Sequence, residues 1–372
     1  MRLLYATTLT FPSGLANRLQ ILNMSIEFQK RLNDNFILGI SQRGEFNETL
    51  DKYLDKLNLL VVGRGRSVLV AWKYLKYVKK NKITHVYCRE PRLQMFFLIF
   101  CRLFFLSKVK FIYEMHEVKK DSFLNRINFL LISKFSSQIV FVTKNLRDVF
   151  IKKYNYNKDK SIVAHDGVDL AVFDIDLSQE EARKRYGLPI DKKILGFFGR
   201  FKTLGMDKGL EVIFHSLKKL DDSIILLAMG GRPNDISFYK NMAGDLGLRK
   251  RVIFTEHLNQ NEVAGRQKAC DILLMPFPFN EHYAYFMSPL KMFEYMASQR
   301  PIVATNLPST REVLNENNAV LVEPDDSEKL AKGIKKVLDN KELSQKIAEQ
   351  AYLDVKKYTW EKRVKDIIKL LK

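Results

Sequence analysis

Short apolar runs alternate with longer amphipathic segments along both halves of this chain. In the first half, the apolar runs predict strands at residues 2–7, 35–40, 57–62, 84–88, 110–114 and 138–143. Segments between several of them predict helices at 16–32, 68–80 and 123–134. In the second half, the same alternation predicts strands at 193–199, 224–229, 251–255, 272–276, 301–304 and 319–322, and helices at 208–219, 237–244, 260–269, 288–297 and 327–338. Apolar strands that alternate with helices are typical of parallel sheets covered on both faces, so the pattern predicts an α/β protein with two doubly wound domains.

A charged and polar stretch at residues 167–188 separates the two halves and ends close to Gly187 and Pro189. Its composition is typical of a linker, so we expect a first domain at 1–167 and a second at 168–358. The last segment, 359–372, places apolar side chains at helical spacing. We therefore predict a terminal helix there, and we expect it to return to the first domain.

Three features bear on the cellular compartment. Residues 1–9 are too short, and too soon followed by Pro12 and Gly14, for a signal peptide, so we expect a buried first strand. The most apolar stretch, 93–106, is shorter than the roughly 18 to 20 residues of a membrane span and contains Arg102, so we predict a core helix. The three cysteines form no CxxC pair, which indicates neither a disulfide framework nor a zinc site and favours a cytoplasmic location.

Charge changes this picture, because the formal net charge of +20 is unevenly distributed. Residues 1–165 carry 29 Lys and Arg against 12 Asp and Glu, whereas the remaining residues carry 33 against 30. A field of one sign attracts anionic partners such as phospholipid surfaces or phosphorylated acceptors. Nucleic acid is not expected, since the chain lacks a recognisable reader motif. The alternative is a lysine-rich coding bias, which explains the number of lysines but not their asymmetry.

Within the basic half, segment 67–82 places Lys73, Lys76 and Lys80 on one helical face. The opposite face forms an apolar stripe that we expect to lie in the core, namely Val68, Ala71, Trp72, Leu75 and Val78. The alternative is an ordinary helix that covers a sheet. The functional hypothesis is that the three lysines contact an anionic membrane surface by charge alone, without any inserted segment.

Two strand-to-helix loops carry candidate anion-binding chemistry. In the first, residues 11–17 include Gly14 and open a helix, whose amino end favours an anion once a glycine lets the backbone approach. In the second, Arg200 follows a strand and Lys208 precedes the next helix. An arginine fork and a lysine point charge that flank one loop can hold a diphosphate, although a solvated pair is the alternative.

Segment 288–297 predicts a third anion site. Ser288 is predicted as the N-cap and Pro289 as the first helical residue, which leaves backbone N–H groups and the helix dipole available to an anion. Glu294 lies near the middle of this otherwise apolar helix, where a carboxylate costs free energy unless it has a partner. The alternative is a glutamate on a solvated helix face.

These three segments, with His-Asp-Gly-Val-Asp at 165–169, resemble glycosyltransferase family 4, and the sequence SPLKMFEYMASQRPIVATNLPS is the most specific part. The chain is identified with the subgroup that has an SPLK-type donor segment. The resemblance implies the GT-B architecture, in which two Rossmann-like domains face each other across a cleft. It further implies a nucleoside diphosphate sugar held mainly by the second domain, retention of anomeric configuration, and no obligatory metal.

The resemblance assigns roles residue by residue. Arg200 and Lys208 match the pair that neutralises the donor diphosphate, and Glu294 matches the second glutamate of a two-glutamate motif, which binds the ribose. The other matching positions are the phosphate-binding helix start at Ser288, Pro289, Leu290 and Lys291, the diphosphate loop at Gly14, a cleft histidine at His116 and the nucleobase loop at His257.

Two positions depart from the family pattern. Phe286 stands where the first glutamate of the motif contacts the transferred sugar, and Asp166 stands where asparagine is common. Residues 174–176 read Asp-Ile-Asp, but they lie in the predicted linker and not at a strand end, so we expect no metal site.

The sequence therefore predicts a retaining glycosyltransferase of the hexosyltransferase type. We expect it to move a sugar from a nucleoside diphosphate sugar, with UDP favoured, to a glycan or lipid-linked acceptor in bacterial surface polysaccharide or glycolipid assembly. It is expected to need no cofactor and to work in the cytoplasm at the inner face of the membrane. The open alternatives are a nucleotide-sugar epimerase of the same architecture and a non-catalytic anion-binding subunit.

Overall fold

A computed structural model describes residues 1–44, 48–103, 108–118, 122–203, 205–256 and 258–371. The chain divides into two compact units, the first made of Met1–Asp166 with Trp360–Lys372 and the second of Gly167–Thr359. The boundaries expected from the sequence, after residues 167 and 358, each fall one residue from this division.

The first unit is built on a parallel sheet of seven strands in the order β5-β3-β1-β6-β7-β8-β9, where β2 and β4 pair separately. The strands are β1 (Leu3–Ala6), β2 (Thr10–Phe11), β3 (Phe36–Ile40), β4 (Gln42–Arg43), β5 (Leu59–Val61), β6 (His85–Cys88), β7 (Lys110–Met115), β8 (Gln138–Phe141) and β9 (Ser161–Val163). The helices are α1 (Ala16–Leu32), α2 (Glu48–Leu54), α3 (Ser67–Lys80), α4 (Pro91–Leu103), α5 (Phe123–Phe135), α6 (Lys144–Tyr154) and the terminal α15 (Trp360–Leu371), which packs against α1.

The second unit has a six-stranded parallel sheet in the order β14-β13-β10-β15-β16-β17, with a short antiparallel hairpin of β11 and β12. The strands are β10 (Lys193–Phe198), β11 (Lys202–Thr203), β12 (Met206–Asp207), β13 (Ile224–Gly231), β14 (Val252–Glu256), β15 (Ile272–Met275), β16 (Ile302–Thr305) and β17 (Val320–Val322). The helices are α7 (Leu170–Phe173), α8 (Gln179–Arg185), α9 (Leu210–Leu217), α10 (Pro233–Asp245), α11 (Gln260–Ala269), α12 (Leu290–Ala297), α13 (Ser327–Leu338) and α14 (Lys341–Val355).

Both sheets are doubly wound, so the predicted α/β class with two Rossmann-like domains is confirmed. Central strands such as β1 and β13 are buried along their whole length, because helices cover both faces of each sheet. The prediction missed α6, whose buried side chains are only Leu146 and Phe150. A helix with so narrow an apolar face leaves a weak periodic signal.

Helix α3 corrects the predicted apolar stripe. Its buried side chains are Val70, Ala71, Tyr74, Leu75 and Val78. The prediction of Trp72 and Val68 in the core was wrong, because Trp72 is 37% exposed and Val68 only half-buried. Tyr74 sets the rotation of the helix: its ring packs against β3 at Gly39, and its hydroxyl donates to the Thr7 carbonyl at 2.8 Å.

The lysine face of α3 is exposed at Lys73, Lys76 and Lys80. Lys73 Nζ also donates to the Val62 carbonyl at 2.7 Å, and Lys76 Nζ lies 5.5 Å from the centroid of the Trp72 ring. Over the part of the chain that the structure describes, the helices all lack the length or the apolarity needed to cross a membrane.

Candidate functional site

The strand order of the second sheet reverses at β10, which lies between β13 and β15. In open α/β sheets, ligands bind beyond the carboxyl ends of the strands at such a reversal. Gly199 and Arg200 follow β10 at this point, and Pro276 and Phe277 follow β15. The residues predicted to bind the donor therefore belong to a position that the topology favours for a ligand.

Lys291 occupies this position. It projects from the first turn of α12, is 8% exposed, and its Nζ lies 3.9 Å from the centroid of the Phe197 ring and 5.4 Å from that of Phe277. This ammonium group is buried and has no hydrogen-bond partner. Burial, with Lys208 close by, holds the pKa of Lys291 well below its usual range. A buried cation without a partner costs free energy, so the geometry indicates a site made for an anion.

Two glycines with positive φ shape the backbone around Lys291. Gly199 has φ +102°, and a Cβ there would stand 3.4 Å from Lys291 Cε. Gly209 has φ +96°, and a Cβ there would come within 1.9 Å of the Pro276 carbonyl oxygen. Only glycine tolerates both the conformation and this closeness. The amino end of α9 is thereby held against the loop that follows β15.

Lys208 and Arg200 add two more positive charges beside Lys291. Both side chains are half-buried, and burial followed by the nearby Arg200 lowers the pKa of Lys208 to about 8. Asp207, next to Lys208, is itself engaged, because it accepts hydrogen bonds from Gly209 N and the Tyr239 hydroxyl. Clustered cations repel one another, and a diphosphate would relieve that repulsion.

Helix α12 begins at Leu290, so the prediction of Ser288 as N-cap and Pro289 as first helical residue is corrected. Pro289 occupies the N-cap position with φ −78° and ψ 128°, and its extended backbone moves the helix start by one residue. No side chain caps the helix there. The backbone N–H groups of Leu290 and Lys291 therefore lie at an uncapped helix start, where an anion is favoured.

Glu294 follows Lys291 by one helical turn and is half-buried. Burial raises the pKa of Glu294 to about 7, although the nearby Lys291 opposes that shift. Phe286, at the position of the missing first glutamate, is 5% exposed and ends a π-helical turn at His282–Phe286. An aromatic side chain so buried packs in the core and offers no hydroxyl contacts to a sugar.

The first unit contains a second polar cluster, centred on Glu114 near the end of β7. This carboxylate is fully buried, and its Oε1 accepts hydrogen bonds from His116 Nε2 at 2.6 Å and Gln20 Nε2 at 3.2 Å. Its Oε2 is 3.2 Å from Nη1 of Arg363, on α15, and accepts a hydrogen bond from the Tyr87 hydroxyl. The terminal helix therefore supplies the cation that neutralises a buried carboxylate of the sheet.

The two carboxylates of this cluster have opposite pKa shifts. Burial alone would raise the pKa of Glu114, but Arg363 and the hydrogen bond from His116 hold it well below its usual range. Asp166 accepts a hydrogen bond from Gln20 and lies 3.8 Å from Arg363 Nη2. Burial raises the pKa of Asp166 to about 7, with Arg363 opposing and Glu114 adding to the shift.

His116 lies at the edge of this cluster with 24% of its side chain exposed. Burial and the nearby Arg89 lower the pKa of His116 to about 4, against the effect of Glu114. The imidazole is therefore neutral at pH 7, with Nε2 held by the carboxylate. Arg89 itself donates to Gln20 Oε1 and, at 3.3 Å, to the Asn17 carbonyl in the first turn of α1.

The structure brings the predicted residues together in two groups. Arg200, Lys208, Lys291 and Glu294 belong to the second unit, with Ser288, Pro289 and Leu290 at the start of α12. Gly14, before α1, and His116, after β7, belong to the first unit. His257 lies outside the described residues.

Sequence reasoning missed Glu114, Arg363 and Arg89. A charged residue inside a buried strand was the available signal for Glu114, because such a group needs a partner. The Asp-Ile-Asp segment has a structural role at Asp174, which accepts hydrogen bonds from Gln299 at 2.9 Å and the Tyr352 hydroxyl at 2.5 Å. Within the described ranges, no three His, Cys, Asp or Glu side chains are grouped to hold a metal ion.

Comparison with known proteins agrees with this site. Residues 178–354 match the family described as "Glycosyl transferases group 1". The chain is 27% identical over 243 residues to an uncharacterized glycosyltransferase of Methanocaldococcus jannaschii, over 64% of this chain and 60% of that protein. It is 28% identical over 200 residues to a D-inositol 3-phosphate glycosyltransferase of Xylanimonas cellulosilytica, over 51% of this chain and 46% of that protein. The matches thus span about half to three-fifths of these relatives.

Solved structures resemble the whole chain. Anabaena HepE in complex with UDP has a TM-score of 0.81 at 18% identity and covers 100% of this chain and 99% of its own. A glycosyltransferase of Rickettsia africae has a TM-score of 0.78 at 19% identity, covering 100% and 98%. WaaG, a glycosyltransferase involved in lipopolysaccharide biosynthesis, has a TM-score of 0.71 at 17% identity, covering 98% and 99%. At these identities the likeness concerns the fold, and the predicted GT-B fold class is confirmed.

Proposed function

We propose that this chain is a glycosyltransferase that uses a nucleoside diphosphate sugar as donor. The observation that carries the proposal is the buried ammonium of Lys291, which has no hydrogen-bond partner and lies where the strand order of the second sheet reverses. An anion with more than one charge suits a site that also contains Lys208 and Arg200. The family match over residues 178–354 includes all of these positions.

UDP is the favoured nucleotide. This choice is supported by the whole-chain likeness to Anabaena HepE, which was solved with UDP and, separately, with UDP-glucose. In the proposed mechanism, the leaving diphosphate accumulates negative charge as the glycosidic bond breaks. Arg200 offers a bidentate fork, Lys208 and Lys291 offer point charges, and the uncapped start of α12 offers backbone N–H groups. Such preorganised charges stabilise the transition state more than the ground state.

Glu294 is proposed to accept hydrogen bonds from the ribose hydroxyls, and Gly14 and His116 to act on the donor as the family resemblance implies. Transfer is proposed to retain the anomeric configuration and to need neither a cofactor nor a metal ion. The proposed acceptor is a glycan or a lipid-linked saccharide of bacterial surface polysaccharide or glycolipid assembly. The basic first half, the exposed lysines of α3 and the fold shared with WaaG support a protein at the cytoplasmic face of a membrane.

Calorimetry with UDP, GDP, ADP and their glucose conjugates tests the donor assignment. We expect UDP compounds to bind most tightly. Arg200→Ala and Lys208→Ala are expected to lower turnover by about 3–4 kcal/mol of transition-state stabilisation. Lys219→Ala, a change of the same kind at an exposed lysine of the second unit, serves as the control. Unchanged turnover in both site variants would contradict the assignment.

The products separate the proposal from its alternatives. Retention is tested by proton NMR of the anomeric configuration of the first-formed glycoside. A changed sugar after incubation with donor alone would indicate an epimerase-type enzyme. The buried Phe286 favours the other alternative, a non-catalytic subunit, and binding of UDP-sugar without hydrolysis or transfer to any acceptor would support it.

A further inference from the structure

Helices α3, α4 and α5 form a continuous layer on the first sheet. The connections β5 to β6, β6 to β7 and β7 to β8 all run in the same direction across the sheet. Right-handed crossovers in one direction place their helices on one face. In that layer α3 packs on α4 and α4 packs on α5, with Trp72 5.8 Å from Phe100 and the Arg102 guanidinium 4.7 Å from the Phe135 ring.

The outer face of α5 is apolar. Phe123 and Leu124 are 77% and 75% exposed, and Ile127 and Leu130 are also exposed. These four positions recur at helical spacing, opposite the buried side of α5 that carries Phe129. We refer to Phe123, Leu124, Ile127 and Leu130 as the α5 stripe. An isolated exposed leucine needs no explanation, but a stripe of four large apolar side chains on one helix does.

The charge around the α5 stripe has one sign. The three helices of the layer together carry eight Lys and Arg residues and no Asp or Glu: Lys73, Lys76, Lys79, Lys80, Arg92, Arg102, Arg126 and Lys134. An exposed apolar stripe flanked by cations, on a helix without acidic residues, is the pattern of helices that lie in the interface of a bilayer. Cations beside it attract anionic headgroups.

We propose that the α5 stripe inserts into the interfacial region of an anionic lipid bilayer, while the cations of α3, α4 and α5 contact the headgroups. A symmetric contact with a second copy of this chain would set the same eight cations against each other, which disfavours self-association through this face. The proposal changes the expectation from sequence, in which Lys73, Lys76 and Lys80 bind lipid by charge alone.

The position of the α5 stripe gives docking a use. In a parallel sheet, the carboxyl end of a strand and the amino end of the following helix lie at the same edge. His116 follows β7, and α5 begins with Phe123, seven positions later. The most exposed end of the stripe therefore lies at the sheet edge that carries His116. If the proposed transferase function holds, docking brings that edge to an acceptor anchored in the bilayer.

Co-sedimentation tests the α5 stripe with vesicles of phosphatidylglycerol and phosphatidylcholine in equal amounts, and of phosphatidylcholine alone. The variant Phe123→Gln/Leu124→Gln/Ile127→Gln is expected to bind the anionic vesicles at least tenfold more weakly than the unaltered chain. Ile190→Gln/Leu353→Gln, at two exposed apolar residues of the second unit, is the matched control and should bind normally. Circular dichroism and melting curves establish that each variant is folded.

Insertion is measured directly with Leu124→Trp. Its fluorescence should shift to the blue on anionic vesicles and be quenched by lipids brominated in the acyl chain. Part of the binding should survive 0.5 M salt, because screening at that concentration acts on charge and not on apolar contact. No blue shift, or full binding by the triple glutamine variant, would overturn insertion and leave docking by charge alone.

Two further outcomes identify other partners. Sedimentation that shows a dimer without lipid, lost in the triple glutamine variant, would overturn the proposal in favour of a protein interface. UDP calorimetry on the same variant separates this inference from the proposed function. Normal UDP binding without vesicle binding would leave the transferase standing, whereas vesicle binding by a chain that binds no nucleotide would leave only the docking surface.

Discussion

Each unit buries charged side chains near the carboxyl ends of a parallel sheet, but the two units compensate these charges differently. In the first unit, Glu114 has hydrogen bonds or ion pairs to His116, Gln20, Tyr87 and Arg363. In the second unit, Lys291 has none, and Lys208 and Arg200 add charge of the same sign beside it.

The difference separates a structural cluster from a binding site. A buried charge with complete hydrogen bonds holds its neighbours in one arrangement, and here it fixes His116 through Nε2. A buried charge without a partner destabilises the unliganded protein and gains free energy when a ligand arrives. The comparison therefore predicts opposite responses to removal of the central cation in each unit.

The largest expected effect is on stability in the first unit. Arg363→Met removes the cation beside Glu114 and leaves a buried carboxylate without its ion pair, which costs about 3–5 kcal/mol of unfolding free energy. UDP affinity should be unchanged where the folded state persists. Urea denaturation measures the loss. Glu361→Gln, which breaks the exposed pair between α15 and Arg31 at 2.9 Å, is the matched control and should cost at most about 1 kcal/mol. Equal losses in both variants would contradict the comparison.

Lys291→Met should act in the opposite way. It removes a buried cation without a partner, so the melting temperature of the unliganded protein should stay constant or rise. UDP affinity should fall by about 1.5–3 kcal/mol, roughly ten- to 150-fold, which is typical for a hydrogen bond to a charged group. Calorimetry and thermal melting provide the two readings, and the exposed Lys219→Met is the control. A lower melting temperature with normal UDP affinity would make Lys291 a structural residue.

His116→Ala tests whether the first cluster serves catalysis as well as structure. Loss of one neutral hydrogen bond to the donor sugar would lower kcat/KM by about tenfold, or about 1.4 kcal/mol. The melting temperature should change little, because a quarter of the side chain is exposed. Steady-state kinetics and thermal melting decide between the roles. A drop of several degrees with intact specific activity would make His116 a core residue only.

The smallest expected effect is the pH dependence of UDP binding. Lys208 has a pKa of about 8, so it is charged below pH 8 and loses its charge as the pH rises through that value. UDP affinity should therefore fall, by less than tenfold, between pH 7.5 and 9. Binding at pH 8 should take up protons, since the anion favours charged Lys208. Calorimetry in two buffers of different ionisation enthalpy measures this uptake, and Lys208→Met should abolish both effects.

Much of the architecture follows from local pattern. The predicted helices at 16–32, 260–269 and 327–338 have the same bounds as α1, α11 and α13. Periodicity suffices there because neighbours three and four positions apart define the buried face. The pattern was less informative where one side chain sets the rotation of a helix. In α3 the contact of Tyr74 with Gly39 moves Trp72 to the surface, and no local signal reports a contact between elements.

The candidate site divides in the same way. Motif order placed Arg200, Lys208 and the start of α12 on the loops that follow strands, because strand-to-helix turns are local features. The chain near Lys291 predicted a backbone anion site, but the orphaned side chain became visible only between the rings of Phe197 and Phe277, which come from separate strands and loops. Burial depends on what covers a residue, and sequence neighbours do not supply that cover.

By itself, the sequence determined the alternation of strands and helices, the two doubly wound halves, the uneven charge and the loops that carry the candidate residues. These properties depend on residues close together in the chain. Tertiary structure alone decided which charges are compensated. Glu114 and Arg363 are separated by 249 positions and meet only because α15 folds back into the first unit. Electrostatic interaction depends on distance in space, so a buried ion pair, an orphaned lysine and an exposed apolar stripe appear only after folding.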